Sequence, residues 1–258
     1  MTNLNHIVIG QPDNPPLILL HGFLGCAQDW LYVMQQLSDR YCCIAVDLPG
    51  HGESHFADYS FAAFSDVMSD FIAKYKQPIL LGYSMGGRLA LYLAIKAKPE
   101  LKGLILGSTN PGIQNRLDRK KRYDSDLMLA KSLEQEDFNS FLVRWYNQPL
   151  FASLLHAIDL ETLLQKRVNN NPYQLAQALR GMSAGRQPDL WPGIKNLSFP
   201  VLVLAGSLDE KYAQIALRLK KTGGNITVRL INAAGHNIHL EQPNSFIHEI
   251  SRFMIEEC

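Results

Sequence analysis

Long hydrophobic runs are absent from this sequence. No apolar run approaches the roughly 18 residues that a bilayer-spanning helix needs, so we expect no membrane insertion. The N-terminal stretch MTNLNHIVIGQPDNPP lacks a basic region followed by an apolar core, and we therefore expect no secretory signal peptide. Net charge is also nearly absent, because 25 Lys and Arg residues stand against 24 Asp and Glu residues. This balance disfavours nucleic acid or a membrane surface as the partner.

Cysteine is scarce, with four residues at positions 26, 42, 43 and 258. Their spacing matches neither a disulfide framework nor a zinc site, and Cys42 and Cys43 lie in an apolar run that predicts buried, reduced thiols. The cytoplasm is the expected compartment. The pair His236 and His239 lacks further ligands at metal-binding spacing, and no nucleotide-binding fingerprint follows the first strand. We therefore predict no metal and no cofactor.

Alternating strand and helix signals occupy most of the chain. The length of 258 residues and the 47% hydrophobic content favour a single large α/β domain spanning residues 1–258. Strands are predicted at residues 4–9, 17–20, 42–46, 79–81, 103–106, 201–206 and 228–231, and helices at 30–37, 61–75, 88–97, 213–220 and 246–255. This alternation predicts a mostly parallel sheet with helices on both faces.

The pattern changes between residues 108 and 197, where no strand signal occurs. Helices are predicted there at residues 126–133, 138–146, 150–168 and 173–182. We interpret this segment as a helical lid inserted between two strands.

The segment PILLGYSMGGRLALYLAIKA, residues 78–97, reads as a strand, a sharp turn and a helix. Its G-x-S-x-G motif, Gly82 to Gly86, is the nucleophile-elbow pattern. Glycines two residues before and after Ser84 leave room for the strand and the helix to cross. The hydroxyl of Ser84 is then exposed at the sheet edge, next to a helix N-terminus that favours negative charge. An ordinary glycine-rich turn is the alternative interpretation.

A serine hydroxyl needs a partner that takes its proton, usually a histidine oriented by a carboxylate. In proteins with this elbow the order along the chain is serine, acid, histidine. Asp209 follows the strand at 201–206, and His236 follows the strand at 228–231 within the sequence AGHN. Asp209 also suits a helix N-cap, and His239 competes with His236. The glycine before His236 permits a turn, and we therefore prefer His236.

An anion that forms at this site needs hydrogen-bond donors. The N–H of Met85, next to Ser84, is one candidate, and the N–H of Phe23, in the loop after Leu20, is the other. The side chains of Phe23 and Met85 are also expected to wall the pocket.

Arg88 stands one helical turn after Ser84 among apolar neighbours. Helical side chains lean towards the N-terminus, so Arg88 should lean towards the serine. A guanidinium in such surroundings is costly unless it is paired. It therefore either forms a salt bridge with a buried Asp or Glu or binds a substrate carboxylate. Further cations stand near the start of the lid, at positions 116, 119, 120, 121 and 122, and most of them are expected to be solvated.

Several motifs together resemble the α/β-hydrolase superfamily. They are HGFLG at 21–25, DLPGHG at 47–52, GYSMGGR at 82–88 and AGHNIH at 234–239. With NPGIQ at 110–114 and RVNNN at 167–171, they resemble, within it, the family of 2-succinyl-6-hydroxy-2,4-cyclohexadiene-1-carboxylate synthases of menaquinone biosynthesis. The match covers nearly the whole chain.

The resemblance implies a lyase that eliminates pyruvate from a cyclohexene bearing a succinyl chain and an enolpyruvyl group. That substrate is a small molecule with three carboxylates. Ser84, Asp209 and His236 would form the triad, with the serine as base, and the N–H groups of Phe23 and Met85 would hold the enolate-like oxygen. The implied substrate-binding residues are Tyr83, Arg88, Gln114, Arg122, Trp145 and Arg167. Trp145 also suits packing of the lid, and Lys211 matches a family position to which we assign no role.

Two other functions stay open. A carboxylic-ester or carbon–carbon bond hydrolase acting on a small anionic substrate needs the same triad, a route for water and a less cationic pocket. A ligand-binding protein without catalysis is the third possibility, which the complete set of triad candidates disfavours. We expect a monomer or a weak oligomer.

Overall fold

The computed structural model describes residues 2–258. Seven strands form one sheet in the order β1-β3-β2-β4-β5-β6-β7. They are β1 (His6–Ile9), β2 (Pro16–Leu20), β3 (Cys42–Val46), β4 (Ile79–Tyr83), β5 (Gly103–Gly107), β6 (Val201–Gly206) and β7 (Ile226–Ile231). Strand β1 pairs antiparallel with β3, and all other neighbours are parallel. The prediction of a mostly parallel sheet is confirmed.

Apolar runs on the central strands explain why the sheet is buried on both faces. Strands β3, β4, β5 and β6 are buried along their whole length. Alternate residues of a strand point to opposite faces, so Ile18 and Leu20 of β2 join one hydrophobic cluster while Leu17 and Leu19 join the other. Each fully buried aliphatic side chain contributes roughly 1.5–3 kcal/mol. The core therefore fixes the sheet on which the loops stand.

Helices cover both faces of the sheet. Those of the sheet-forming parts are α1 (Leu31–Leu37), α2 (Phe61–Ile72), α3 (Met85–Tyr92), α10 (Glu210–Lys220), α11 (Ile238–Glu241) and α12 (Pro243–Glu256). A 3₁₀ turn (Ala27–Trp30) precedes α1, and a π-helical turn (Leu93–Ala97) extends α3. Helix α3 begins three residues earlier than predicted, because Met85 follows the elbow serine directly. The single turn α11 was not predicted.

The segment between β5 and β6 contains helices joined by loops. Its helices are α4 (Arg116–Gln135), α5 (Phe138–Tyr146), α6 (Ala152–Ala157), α7 (Leu160–Arg167), α8 (Pro172–Gly181) and α9 (Trp191–Ile194), with a 3₁₀ turn at Pro149–Phe151. No strand lies between β5 and β6 in the described chain.

Two predictions within the lid differ from the structure. The single helix predicted over residues 150–168 is wrong, because Ile158 and Asp159 adopt extended backbone and separate α6 from α7. Helix α4 starts ten residues before the predicted 126, where the side chain of Asn115 caps it by accepting from the N–H groups of Leu117 and Asp118. Its first turns are charged and exposed, so no apolar periodicity marks them. Within residues 2–258, no helix combines the length and apolar character that a bilayer-spanning segment requires.

Candidate active site

Ser84 occupies the turn between β4 and α3. Its backbone has φ 51° and ψ −106°, a strained conformation for a residue with a side chain. A Cβ atom at Gly82 would lie 2.4 Å from the carbonyl oxygen of Gly86, and one at Gly86 would lie 2.3 Å from that of Leu20. Both glycines are therefore required for the crossing, as the motif predicts. The strain is held by the buried strand and helix on either side.

The structure brings Ser84, His236 and Asp209 into one hydrogen-bonded chain. Ser84 Oγ lies 3.0 Å from His236 Nε2, and His236 Nδ1 lies 2.8 Å from Asp209 Oδ2. Asp209 follows the carboxyl end of β6, and His236 stands in the loop after β7. The other oxygen of Asp209, Oδ1, accepts the N–H of Tyr212 at 3.2 Å and caps α10. Asp209 therefore contacts His236 and caps α10 at the same time, because its two oxygens have different partners.

His239, the competing histidine, does not contact the serine hydroxyl. Its ring stacks on Trp30 and meets Tyr83 edge-on, each with centroids 4.5 Å apart. Burial lowers the pKa of His239 to about 3, so the ring is neutral. His239 lines the same cavity as Ser84 but packs as an aromatic side chain.

The loop that carries His236 is fixed by a buried carboxylate that the sequence analysis missed. Glu241 accepts the N–H of Gly235 at 2.7 Å through Oε2 and that of Asn237 at 2.9 Å through Oε1. Ser108 Oγ donates to the carbonyl oxygen of His236 at 2.8 Å. The backbone of His236 is therefore held on both sides. No motif marks Glu241, because the unpredicted turn α11 folds it back towards the histidine.

The N–H groups of Phe23 and Met85 stand at the cavity as predicted donors. The N–H of Met85 is the first of α3, a position that has no acceptor within its own helix. Among the hydrogen bonds of residues 2–258, neither N–H has a protein acceptor, and both residues line the cavity. That these two N–H groups donate to an oxygen atom of a ligand stays a prediction.

One cavity of about 600 Å³ opens over Ser84 and His236. All six residues that were predicted to bind substrate line it, namely Tyr83, Arg88, Gln114, Arg122, Trp145 and Arg167. The structure thus gathers side chains from β4, α3 and the lid around one space. The six side chains differ in their hydrogen-bond and ion-pair partners.

Arg88 has hydrogen-bond acceptors but no carboxylate partner. Its guanidinium donates to the carbonyl oxygen of Met182 at 3.2 Å and to Gln187 Oε1 at 3.1 Å, and no carboxylate of the described chain lies within 4.0 Å of it. Burial, together with the nearby charge of Arg122, lowers the pKa of Arg88 to about 10. The alternative of a structural salt bridge is therefore wrong. A half-buried cation without a carboxylate partner favours an anionic ligand.

Gln187 orients that guanidinium and was also missed by the sequence analysis. Its side chain is buried, and its Nε2 donates to the carbonyl oxygen of Asn110 at 3.1 Å. This bond turns Oε1 towards Arg88. The amide therefore positions the guanidinium without neutralising it, which no sequence motif signals.

Arg167 and Arg122 differ from Arg88 because each has a carboxylate partner. Arg167 bonds Asp29 at 2.7 Å, and both side chains are buried. Burial disfavours both charges, but their attraction outweighs it, lowering the pKa of Asp29 and raising that of Arg167. Arg122 bonds Asp126 at 2.8 Å. Arg167 ties helix α7 to the 3₁₀ turn before α1, a structural role that the sequence does not indicate.

The remaining predicted side chains are held by polar or aromatic neighbours. Tyr83 donates its hydroxyl to Asn237 Oδ1. Trp145 packs edge-on against Phe23, with centroids 5.3 Å apart, so it both packs the lid and lines the cavity. Gln114 Nε2 donates to Asp189 Oδ2 at 3.1 Å.

Metal ligands do not cluster in this part of the molecule. Residues 2–258 contain no group of three or more His, Cys, Asp or Glu side chains placed to hold a metal ion. The sequence-based expectation of no cofactor stays a prediction.

Comparison with known proteins identifies the fold and the relatives. A family model described as the alpha/beta hydrolase fold matches residues 15–243. A 2-succinyl-6-hydroxy-2,4-cyclohexadiene-1-carboxylate synthase from Serratia proteamaculans (strain 568) is 34% identical over 253 residues, which cover 95% of each chain. A putative synthase of the same name from Bacillus subtilis (strain 168) is 33% identical, over 92% of this chain and 89% of that one.

A solved structure agrees with these sequence matches. MenH from S. aureus superimposes with a TM-score of 0.93 and 36% identity over 99% of both chains. The resemblance that the motifs indicate is therefore confirmed. The chain belongs to the α/β-hydrolase family and, within it, to the family of the 2-succinyl-6-hydroxy-2,4-cyclohexadiene-1-carboxylate synthases.

Proposed function

We propose that this chain is a carbon–oxygen lyase of menaquinone biosynthesis. It converts 2-succinyl-5-enolpyruvyl-6-hydroxy-3-cyclohexene-1-carboxylate into 2-succinyl-6-hydroxy-2,4-cyclohexadiene-1-carboxylate and pyruvate. The names of the relatives from Serratia proteamaculans and Bacillus subtilis support this assignment. We further propose that it acts in the cytoplasm, as a monomer or a weak oligomer and without a cofactor.

The reaction is a proton removal followed by loss of a leaving group. The hydrogen on ring carbon 2 is acidic because the succinyl ketone is attached there. Its removal leaves an enolate, whose electrons form the C2–C3 double bond, shift the C3–C4 double bond to C4–C5 and break the bond between C5 and the enolpyruvyl oxygen. The expelled enolate of pyruvate then accepts a proton. No water is consumed, which separates this elimination from hydrolysis.

The three residues of the triad supply the base. Ser84 Oγ, 3.0 Å from His236 Nε2, takes the proton from C2 while its own proton passes to the imidazole. Asp209, 2.8 Å from His236 Nδ1, holds the ring in the required tautomer and stabilises the imidazolium. The imidazolium is neutral again once the departing enolate is protonated.

The two backbone donors act on the charge that develops. As the C2 proton leaves, negative charge moves to the oxygen of the succinyl ketone. The N–H groups of Phe23 and Met85 hold that oxygen, and they need no reorganisation because the loop and helix fix them beforehand. Loss of one such donor typically costs about 10²-fold or more in kcat.

The observation that carries the proposal is the state of Arg88. A half-buried guanidinium whose hydrogen-bond acceptors are all neutral stands in the cavity of Ser84, so the cavity favours a substrate that brings its own carboxylate. A neutral ester would cover this charge without supplying a counter-charge. The proposed substrate has three carboxylates.

The experiment is to supply the purified protein with the succinyl-enolpyruvyl substrate and measure both products. We expect pyruvate and the conjugated diene in equal amounts. A simple aryl ester supplied in parallel should be turned over slowly. Rapid ester hydrolysis abolished by Ser84→Ala, without pyruvate release from the cyclohexene, would instead support the hydrolase alternative.

A further inference from the structure

The charges that line the cavity are not balanced. Its basic residues are Arg88, Arg122, Arg167, Lys211 and Arg218, and its acidic ones are Asp29, Asp118 and Asp126. Arg167 pairs with Asp29, and Arg122 with Asp126. Asp118 is exposed in the first turn of α4, where the helix N-terminus favours it. Arg88, Lys211 and Arg218 remain, and none has a carboxylate within 4.0 Å in residues 2–258.

Lys211 and Arg218 stand on one face of α10. They are seven residues apart, which is two helical turns, and Tyr212 and Ile215 between them also line the cavity. Helix α10 begins directly after Asp209 of the triad. Both cations are exposed and stand at the solvent side of the cavity, whereas Arg88 is half-buried.

Arg218 has two side-chain partners although it is exposed. Its guanidinium carbon lies 3.9 Å from the centroid of the Trp191 ring. One of its nitrogens donates to Gln114 Oε1 at 2.5 Å, and Gln114 is in turn bonded to Asp189. Stacking and this hydrogen bond restrict the side chain, so binding an anion costs less entropy than ordering a solvated arginine would. Unused donors of the guanidinium remain available to a ligand.

We propose that Lys211 and Arg218 form an outer anion subsite, which binds a carboxylate of the substrate other than the one held by Arg88. The inference rests on the proposed function, since it places one carboxylate of the substrate at Arg88 and another at the pair of Lys211 and Arg218. It assigns the three unpaired cations of the cavity to two of the three carboxylates of that molecule. It also gives Gln114 a role as the residue that orients Arg218.

Kinetics of the variants Lys211→Met and Arg218→Gln, alone and combined, test the subsite. We expect the double variant to raise KM by about tenfold with kcat within about twofold, because binding is lost equally in the ground and transition states. The effect should shrink at high salt, since both cations are exposed. Lys220→Met, at an exposed position of α10 outside the cavity, is the matched control and should leave KM unchanged. An unchanged KM in the double variant would overturn the subsite.

A binding measurement separates the subsite from the proposed reaction. Tricarballylate, which has three carboxylates, should bind the wild-type protein more tightly than acetate does, and the double variant should reduce that difference. If the wild type releases no pyruvate but this difference is present and falls in the variant, the subsite stands and the proposed reaction does not. If pyruvate is released and neither KM nor tricarballylate binding changes in the variant, the reaction stands and the subsite does not.

Discussion

Gln187→Glu should block the carboxylate site at Arg88 while changing almost no volume. In the structure, Gln187 Oε1 accepts from Arg88 at 3.1 Å without neutralising it. A carboxylate at this position would pair with the guanidinium and repel the substrate carboxylate. At an effective dielectric constant of about 20, two like charges about 6 Å apart repel by about 3 kcal/mol. We therefore expect kcat/KM to fall by about 100-fold.

The assay is the initial rate of pyruvate release over a range of substrate concentrations. The loss should appear mainly as a raised KM, since the carboxylate at Arg88 is bound before and during the reaction. Gln36→Glu adds the same charge at an exposed position and serves as the matched control. Circular dichroism and the urea midpoint verify that the variant folds.

One result would refute this reasoning. If Gln187→Glu is folded and its KM stays within about twofold of the wild-type value, Arg88 does not bind a substrate carboxylate. The main support for an anionic substrate from the structure would then be lost.

Three further predictions follow from buried polar contacts. Glu241→Gln should lower kcat by about tenfold or more with KM nearly unchanged, because the new amide nitrogen would face one of the backbone N–H groups beside His236 and lose that hydrogen bond. Glu256→Gln, at an exposed position, is the control. Arg167→Met should reduce the free energy of unfolding in urea by about 3–5 kcal/mol, since it leaves Asp29 buried and unpaired. Adding Asp29→Asn should restore part of this loss, and equal stability of the wild type, the single variant and the double variant would contradict the prediction. Burial lowers the pKa of His51 and of His239 to about 3. Between that value and pH ~6.5, only the unfolded chain binds a proton at these residues. The free energy of unfolding should therefore fall as the pH decreases through this range, by up to about 1.4 kcal/mol per pH unit for each residue. Urea midpoints at pH 7 and pH 5 measure this slope, which should be shallower in His51→Asn.

The sheet and the triad candidates could be predicted because local sequence determines them. Apolar runs such as residues 17–20 and 42–46 indicate buried strands, because helices cover both faces of a parallel sheet. The glycines around Ser84 are needed for the crossing of a strand and a helix. The carboxyl ends of parallel strands meet at one edge, so the loops with Asp209 and His236 had to approach the serine.

The positioning residues could not be predicted, because distant contacts define them. Gln187 and Glu241 stand in segments without a motif and matter through the backbone groups that they bind. Arg167 and Arg88 look equivalent in the sequence. Asp29, which lies 138 residues from Arg167 along the chain, pairs with it, whereas Arg88 has only neutral hydrogen-bond acceptors. Only the fold distinguishes a structural cation from one that can bind a ligand.

Pyruvate release by Ser84→Ala in a single turnover tests most directly whether the chain of Ser84, His236 and Asp209 performs the elimination. With the protein in excess over the succinyl-enolpyruvyl substrate, the variant should release pyruvate roughly 10³-fold or more slowly than the wild type while keeping its urea midpoint. A folded variant whose rate stays within about tenfold of the wild-type rate would contradict the account.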